Sequence, residues 1–191
     1  RRDSVRADEA ELTLSSDVAR SFGYAYAELL SGMRDKDISD VVVSAGRESR
    51  VSGRRVLNAF DQGVMAAGAK VIDATNQTPE GVAEITSTPI MYFASRYLEN
   101  DNGEPVDGVV EVTASHLPGQ WNGLKPTNGA VNFTEAQMQQ WLARTHEAID
   151  ARVYEQNVSA AQRAASLTRT SLREPYWRSE EHTSELQSLL I

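Results

Sequence analysis

Gly108-Val109-Val110-Glu111-Val112, running into Thr113-Ala114-Ser115-His116-Leu117-Pro118, is the stretch that decides the fold class. Its first half is a short, largely apolar run behind the turn signal Asp101-Asn102-Gly103-Glu104-Pro105, which predicts a strand. Its second half opens a polar loop that extends to about Pro126. Two runs of the same kind come earlier, Val41-Val42-Val43 and Val71-Ile72-Asp73-Ala74. Neither alternates with polar residues, as expected for strands covered on both faces.

Helical patterns separate these runs. Ser15-Ser16-Asp17 supplies an N-cap signal for a helix to about Ser31, with Phe22, Ala25, Tyr26, Leu29 and Leu30 on its apolar face and Gly32 ending it. Val56, Leu57, Phe60, Val64 and Met65 mark a second helix closed by Gly68. Ser87-Thr88-Pro89 opens a third, with proline in the first turn, where no N–H bond is lost, and with Ile90, Tyr92, Phe93 and Tyr97 along it. Thr134-Glu135 begins a long amphipathic helix carrying Met138, Trp141, Leu142, Ile149 and Val153 and reaching toward Val158. Strands alternating with helices imply an α/β domain, a three-layer αβα arrangement on a mostly parallel, mixed sheet. Functional loops of such sheets lie beyond the carboxyl ends of the strands. The loops at 44–53 and 113–126 occupy that position.

Composition narrows the function classes. At 191 residues, 40% apolar and 24% charged, the chain is expected to form one ordinary globular domain. No run of about 18 apolar residues occurs, so no membrane span is expected. The absence of cysteine excludes disulfides and thiol catalysis and suits a reducing compartment. A net charge of −8 argues against nucleic acid as a partner.

Both ends carry expectations of their own. Arg1-Arg2-Asp3 is neither a secretory signal nor an evident natural start, and residues 1–11 are expected to fray. Residues 178–191 resemble the in-frame translation of a sequencing adapter, against the plainer reading of an ordinary polar tail. Setting them aside removes Arg178, Glu180, Glu181 and Glu185, leaving a net charge of −8 + 2 = −6. The domain proper is then expected over 12–158, with 159–177 the start of a helical linker.

The loop after Val112 concentrates reactive groups: a hydroxyl at Ser115, an imidazole at His116 and an ammonium at Lys125, with Pro118, Gly119 and Gly123 shaping the backbone. A serine beside a basic group can act as nucleophile or phosphoryl carrier. The pattern is neither the Gly-x-Ser-x-Gly elbow nor a Walker loop. Arg47 and Arg50 could touch phosphate, but pairing with Glu48 or capping the loop is the favoured reading. Trp121 and Trp141 read as packing anchors and His146 as surface. Arg163, Arg169 and Arg173 form a charged segment with no evident partner.

Val112-Thr113-Ala114-Ser115-His116-Leu117-Pro118 with Asn122-Gly123-Leu124-Lys125 resembles the active-serine loop of the α-D-phosphohexomutases. That family includes phosphoglucomutase, phosphomannomutase and phosphoglucosamine mutase. Val41-Val42-Val43 with Gly46-Arg47-Glu48-Ser49-Arg50-Val51-Ser52 resembles the family's first strand and its Gly-Arg-Asp-x-Arg-x-Ser loop. Ser87-Thr88-Pro89 resembles its Thr-Pro helix start. The three blocks fall in family order over residues 12–158.

The resemblance implies that Ser115 carries a phosphoryl group and exchanges it with a hexose phosphate through a hexose 1,6-bisphosphate. His116 and Lys125 match positions tied to proton transfer and to stabilising the transferring phosphate. It also implies Mg²⁺, bound to an oxygen of the phosphate on Ser115 and to carboxylates of an Asp-Gly-Asp-x-Asp-Arg segment that this sequence lacks. The implied partners are a hexose phosphate and the remaining mutase domains of the same parent chain. The fragment alone is expected to be inactive. The compartment is left open by the sequence, with the cytoplasm the favoured reading and a plastid the alternative if a transit peptide preceded Arg1. The sequence departs from the commonest pattern at Leu117, where Asn is usual, and at Glu48, where Asp is usual. The competing reading is a non-catalytic sugar-phosphate-binding or regulatory protein that keeps the fold.

Overall fold

The computed structural model describes residues 14–75 and 85–180, so the expectations for 1–11 and for most of 178–191 lie outside the described residues. Helix α1 (Ser16–Arg34) precedes strand β1 (Val42–Arg47), helix α2 (Gly53–Ala67) and strand β2 (Lys70–Asp73). Helix α3 (Thr88–Tyr97), strands β3 (Gly108–Val112), β4 (Leu124–Asn128) and β5 (Val131–Asn132) and helix α4 (Glu135–Asp150) follow, then α5 (Ala160–Ser166) and β6 (Leu167–Arg169). A last helix covers 173–180. None of the described helices is long and apolar enough to cross a membrane.

The sheet runs β5-β4-β3-β1-β2-β6. The pairs β1–β2, β1–β3 and β2–β6 are parallel, whereas β3–β4 and β4–β5 are antiparallel. The mostly parallel mixed α/β sheet is therefore present, with three strands that sequence patterning does not reveal. Because strand side chains alternate, Val43, Ala45, Val110 and Val112 join the core under α1, α2 and α4, while Val42 and Val109 join the one under α3. Both faces are covered, which explains the uninterrupted apolar runs.

The first core depends on two helices packed backbone to backbone. A Cβ on Gly23 would lie 2.0 Å from the carbonyl oxygen of Phe60, and one on Gly63 would lie 1.9 Å from that of Arg20. Only glycine at both positions permits this approach. It seats Tyr26 so that its hydroxyl donates to the carbonyl of Thr127 at 2.6 Å, tying α1 to β4. Trp141 closes the cluster from α4, with its Nε1 donating to the carbonyl of Phe22 at 3.0 Å.

Several boundaries differ from expectation, for local reasons. Helix α1 passes through Gly32 and ends at Asp35, which takes the left-handed conformation and donates its N–H to Ser31. Beyond Gly32, Arg34 reaches the Asp107 carbonyl and Lys36 reaches its carboxylate, both at 2.9 Å, so tertiary anchors override the glycine. Helix α4 begins with a reciprocal Thr134–Gln137 capping box but stops at Asp150, because Arg152 turns left-handed and Val153 enters a separate 3₁₀ turn. In α3 the buried positions are Met91, Ala94 and Ser95, whereas Tyr97 is half exposed. Residues 167–169 extend the sheet beside β2, and Arg169 pairs with the buried Asp73 at 3.4 Å.

Two outcomes follow for stability. Gly63→Ala forces α1 and α2 apart against main-chain atoms and should cost about 2–3 kcal/mol or more, read as a lower urea midpoint. Asp61 is buried on α2, and its Oδ1 has no hydrogen-bond partner. Burial raises its carboxyl well above the ordinary value; nearby Asp73 adds to this, and Arg169 and Arg54 oppose it. A raised folded-state value means that the folded chain binds the extra proton, so this contribution to stability is complete below about pH 4 and is lost as pH rises toward the raised value. Asp61→Asn should therefore raise the Tm at pH 7 by roughly 2–4 °C per kcal/mol recovered. That gain should shrink when the melts are repeated near pH 4.

Candidate active-site loop

Strands β1 and β3 are parallel neighbours that end level, with Arg47 opposite Val112. The loops that leave them therefore emerge side by side at the carboxyl edge of the sheet, where α/β proteins place their sites. The loop after β3 closes at its base, where the Thr113 N–H donates to the Gly123 carbonyl at 3.0 Å. Inside it, Leu117 N–H donates to Ala114 and Trp121 N–H donates to Pro118, giving two consecutive turns.

Ser115 lies at the exposed end of this loop with φ 51°, in the left-handed region that non-glycine residues seldom occupy. Holding a serine there costs about 1 kcal/mol or more, and such strain collects at functional sites. Its N–H donates to Thr113 Oγ1 at 3.0 Å. Its own hydroxyl makes no hydrogen bond among the described residues, so the oxygen is free to react. His116 follows it and is also exposed.

The loop after β1 supports this one. Glu48 Oε1 accepts from Thr113 Oγ1 at 2.6 Å, from the Ala114 N–H at 3.2 Å and from Arg50 Nε. Burial pushes the Glu48 carboxyl up, but the donors Thr113, Arg50 and Ala114 outweigh it and hold it below the ordinary carboxylate value. Arg50 extends along the loop. Its Nη2 donates to the Ser115 carbonyl at 2.7 Å, and its Nη1 donates to the carbonyls of Leu117, Pro118 and Trp121 at 2.9–3.0 Å. Asn122 adds a side-chain bond to Ser52 Oγ at 3.0 Å. Arg47 does not join the loop: its Nη1 donates to the Glu48 carbonyl and its Nε is buried without a partner.

Lys125 lies elsewhere than expected. It belongs to β4, not to the loop, and stands opposite Glu111 of β3. Directly paired residues of an antiparallel ladder share a face. Glu111 is buried and accepts from Thr88 Oγ1 at 2.6 Å, at the start of α3. Burial raises its carboxyl, against the Thr88 bond and the charge of Lys125. Sequence reading missed this link between the Thr-Pro helix start and Lys125; its signal would have been a strand over Leu124–Asn128. Among the described residues no hydrogen bond joins Ser115, His116 and Lys125 to one another.

Two aromatic expectations part company here. Trp141 is buried as expected, whereas Trp121 is 56% exposed, beside the equally exposed Leu117. Trp121 contributes its main chain to Arg50, not a packing ring. His146 is on the surface, as expected.

Comparison with known proteins agrees with this architecture. The family model described as phosphoglucomutase/phosphomannomutase, alpha/beta/alpha domain I, matches residues 1–152. A phosphomannomutase from Vibrio cholerae is 33% identical over 147 residues, which is 73% of this chain and 27% of that protein. A phosphoglucosamine mutase from Burkholderia vietnamiensis is 30% identical over 150 residues, covering 76% of this chain and 30% of that protein. The crystal structure of a phosphoglucomutase/phosphomannomutase family protein from Burkholderia thailandensis aligns with a TM-score of 0.60 at 31% identity, over 84% of this chain and 30% of that one. The chain thus spans less than a third of the length of these relatives. With its three-layer fold and its serine loop at the carboxyl edge of β3, the chain belongs to the phosphoglucomutase/phosphomannomutase family, as an α/β/α domain I of that family.

Proposed function

We propose that this domain carries the phosphoryl group of a hexose phosphate mutase on Ser115 and works with further domains of the same parent chain. The observation that carries the proposal is the exposed, unbonded Ser115 hydroxyl on a loop whose main chain is fixed from both sides. Transfer of a phosphoryl group needs alignment and charge stabilisation more than covalent invention, and a rigid, solvent-facing hydroxyl suits that demand.

In the first half-reaction a hydroxyl oxygen of a hexose 6-phosphate attacks phosphorus on phospho-Ser115. The bond from phosphorus to Ser115 Oγ breaks, and a bond to the sugar oxygen forms. The sugar hydroxyl gives up its proton, for which His116 is the acceptor on this loop, and the departing Oγ takes one back. The products are a hexose 1,6-bisphosphate and free Ser115. After the bisphosphate turns around, its other phosphoryl group passes to Ser115 by the same steps in reverse, releasing hexose 1-phosphate. Lys125, on the strand leaving the loop, would place a cation near the transferring group.

Mg²⁺ enters only in a limited way. Among the described residues no three His, Cys, Asp or Glu side chains converge. The carboxylate that is bonded to the loop, Glu48, is already engaged by Thr113, Ala114 and Arg50. These residues do not form a site for the ion on their own, and no step here runs through it. From this chain, the phosphate on Ser115 would supply its oxygen ligand.

In the multidomain enzyme, intact-mass measurement should find one phosphate that disappears in Ser115→Ala, and hexose-phosphate interconversion should fall by at least about a thousandfold. Normal turnover in that variant would refute the carrier role. This chain by itself, incubated with hexose 1-phosphate, hexose 1,6-bisphosphate and Mg²⁺, should give no hexose 6-phosphate in a coupled assay. Turnover by the isolated chain would show that the further domains are dispensable.

A further inference from the structure

Arg50 is an unusual cation for a loop at a sugar-phosphate site, because its charge does not face solvent. The side chain is only 8% exposed, and its nitrogens are spent on Glu48 and on the carbonyls of Ser115, Leu117, Pro118 and Trp121. In this arrangement it is a poor candidate for gripping a substrate phosphate.

Its effect on the loop has a direction. Among the described residues no cis peptide bond occurs, and in a trans peptide unit the C=O and the following N–H point opposite ways. The Ser115 carbonyl is drawn inward to Arg50 Nη2, so the His116 N–H of the same peptide unit points outward. It has no acceptor among the described residues. The left-handed φ of Ser115 lies immediately before this unit, and its N–H is tied to Thr113 Oγ1, whose hydroxyl is in turn held by Glu48. The peptide units on either side of the serine are thus fixed by two side chains of the β1–α2 loop.

We propose that Arg50 is a positioning residue for phosphoryl transfer at Ser115: by holding the Ser115 carbonyl, it turns the His116 N–H outward as a donor to the phosphoryl group. This inference rests on the carrier role of Ser115. A pre-aimed main-chain N–H stabilises charge as it develops on the phosphoryl oxygens without reorganisation. Glu48 assists by fixing the guanidinium and the Thr113–Ala114 segment. Lysine cannot replace Arg50 in this task, because one ammonium cannot reach four carbonyls spread along the loop.

The test uses Arg50→Met and Arg50→Lys in two settings. In the multidomain enzyme, Arg50→Met should lower kcat by about 10²–10³-fold, the range seen when one preorganised donor is lost, with KM within about threefold. Arg50→Lys should restore less than a tenth of the lost rate. In this chain, ¹⁵N relaxation of Arg50→Met should show order parameters for 115–121 falling from about 0.85 to below about 0.6, with Gly108–Val112 unchanged. The proposal is overturned by unchanged kcat, by a KM effect without a kcat effect, or by full rescue with lysine. Loss of order that spreads equally into β3 would overturn it too, since Arg50 would then serve the fold alone. Ser115→Ala separates this inference from the one beneath it. If Ser115→Ala is inactive while Arg50→Met is active, only the positioning role fails; if Ser115→Ala is active, the carrier reading fails first.

Discussion

The parallel register of β1 against β3 is the constraint from which the site follows. It is pinned at both ends. Below, the Asp107 N–H donates to the Val42 carbonyl while the Asp107 carboxylate accepts the Val42 N–H, both at 2.9 Å. Above, the Glu48 N–H donates to the Val112 carbonyl at 3.3 Å. A slip of one residue would turn Val43, Ala45, Val110 and Val112 toward the wrong helical layer. It would also carry the Glu48 carboxylate away from Thr113 and Ala114. The buried Asp107 is compensated by Lys36 and Arg34 from the end of α1, so the same anchor that sets the register also fixes where that helix stops.

Much of this was legible in the sequence because burial on both faces leaves a strong mark. Val41–Val43, Val71–Ala74 and Gly108–Val112 are largely apolar without regular alternation, and the helices between them carry clear stripes and caps. Strand β4 is different. Leu124-Lys125-Pro126-Thr127-Asn128 holds a proline in its middle, which argues against a strand unless it lies near a sheet edge. It does lie there, with only the two-residue β5 beyond it. Strand β6, Leu167-Thr168-Arg169, is too short and polar to show a period, and it exists through its pairing with β2. Helix ends were misjudged where distant partners decided them, as Asp107 did for the segment beyond Gly32.

The site divides along the same line. Residue types such as Ser115, His116 and Lys125 announce chemistry, and they stand out in a linear reading. Their arrangement does not. Lys125 moved from loop to strand because cross-strand pairing is invisible in one segment alone. The pull of Arg50 on four carbonyls has no residue-type signature at the receiving end, since every residue carries a carbonyl. Glu48 was easier to anticipate, because a carboxylate two positions from an arginine invites pairing.

That same blindness has an evolutionary side. A guanidinium that grips the serine loop only through backbone oxygens imposes no demand on what the gripped residues display outward. Leu117 and Trp121 can present their side chains to solvent without disturbing the path of the chain between Thr113 and Gly123. The loop behaves as a cassette with a fixed frame and an editable face. Lineages could therefore retune what approaches Ser115 by point substitution at 117–121, leaving the machinery underneath untouched.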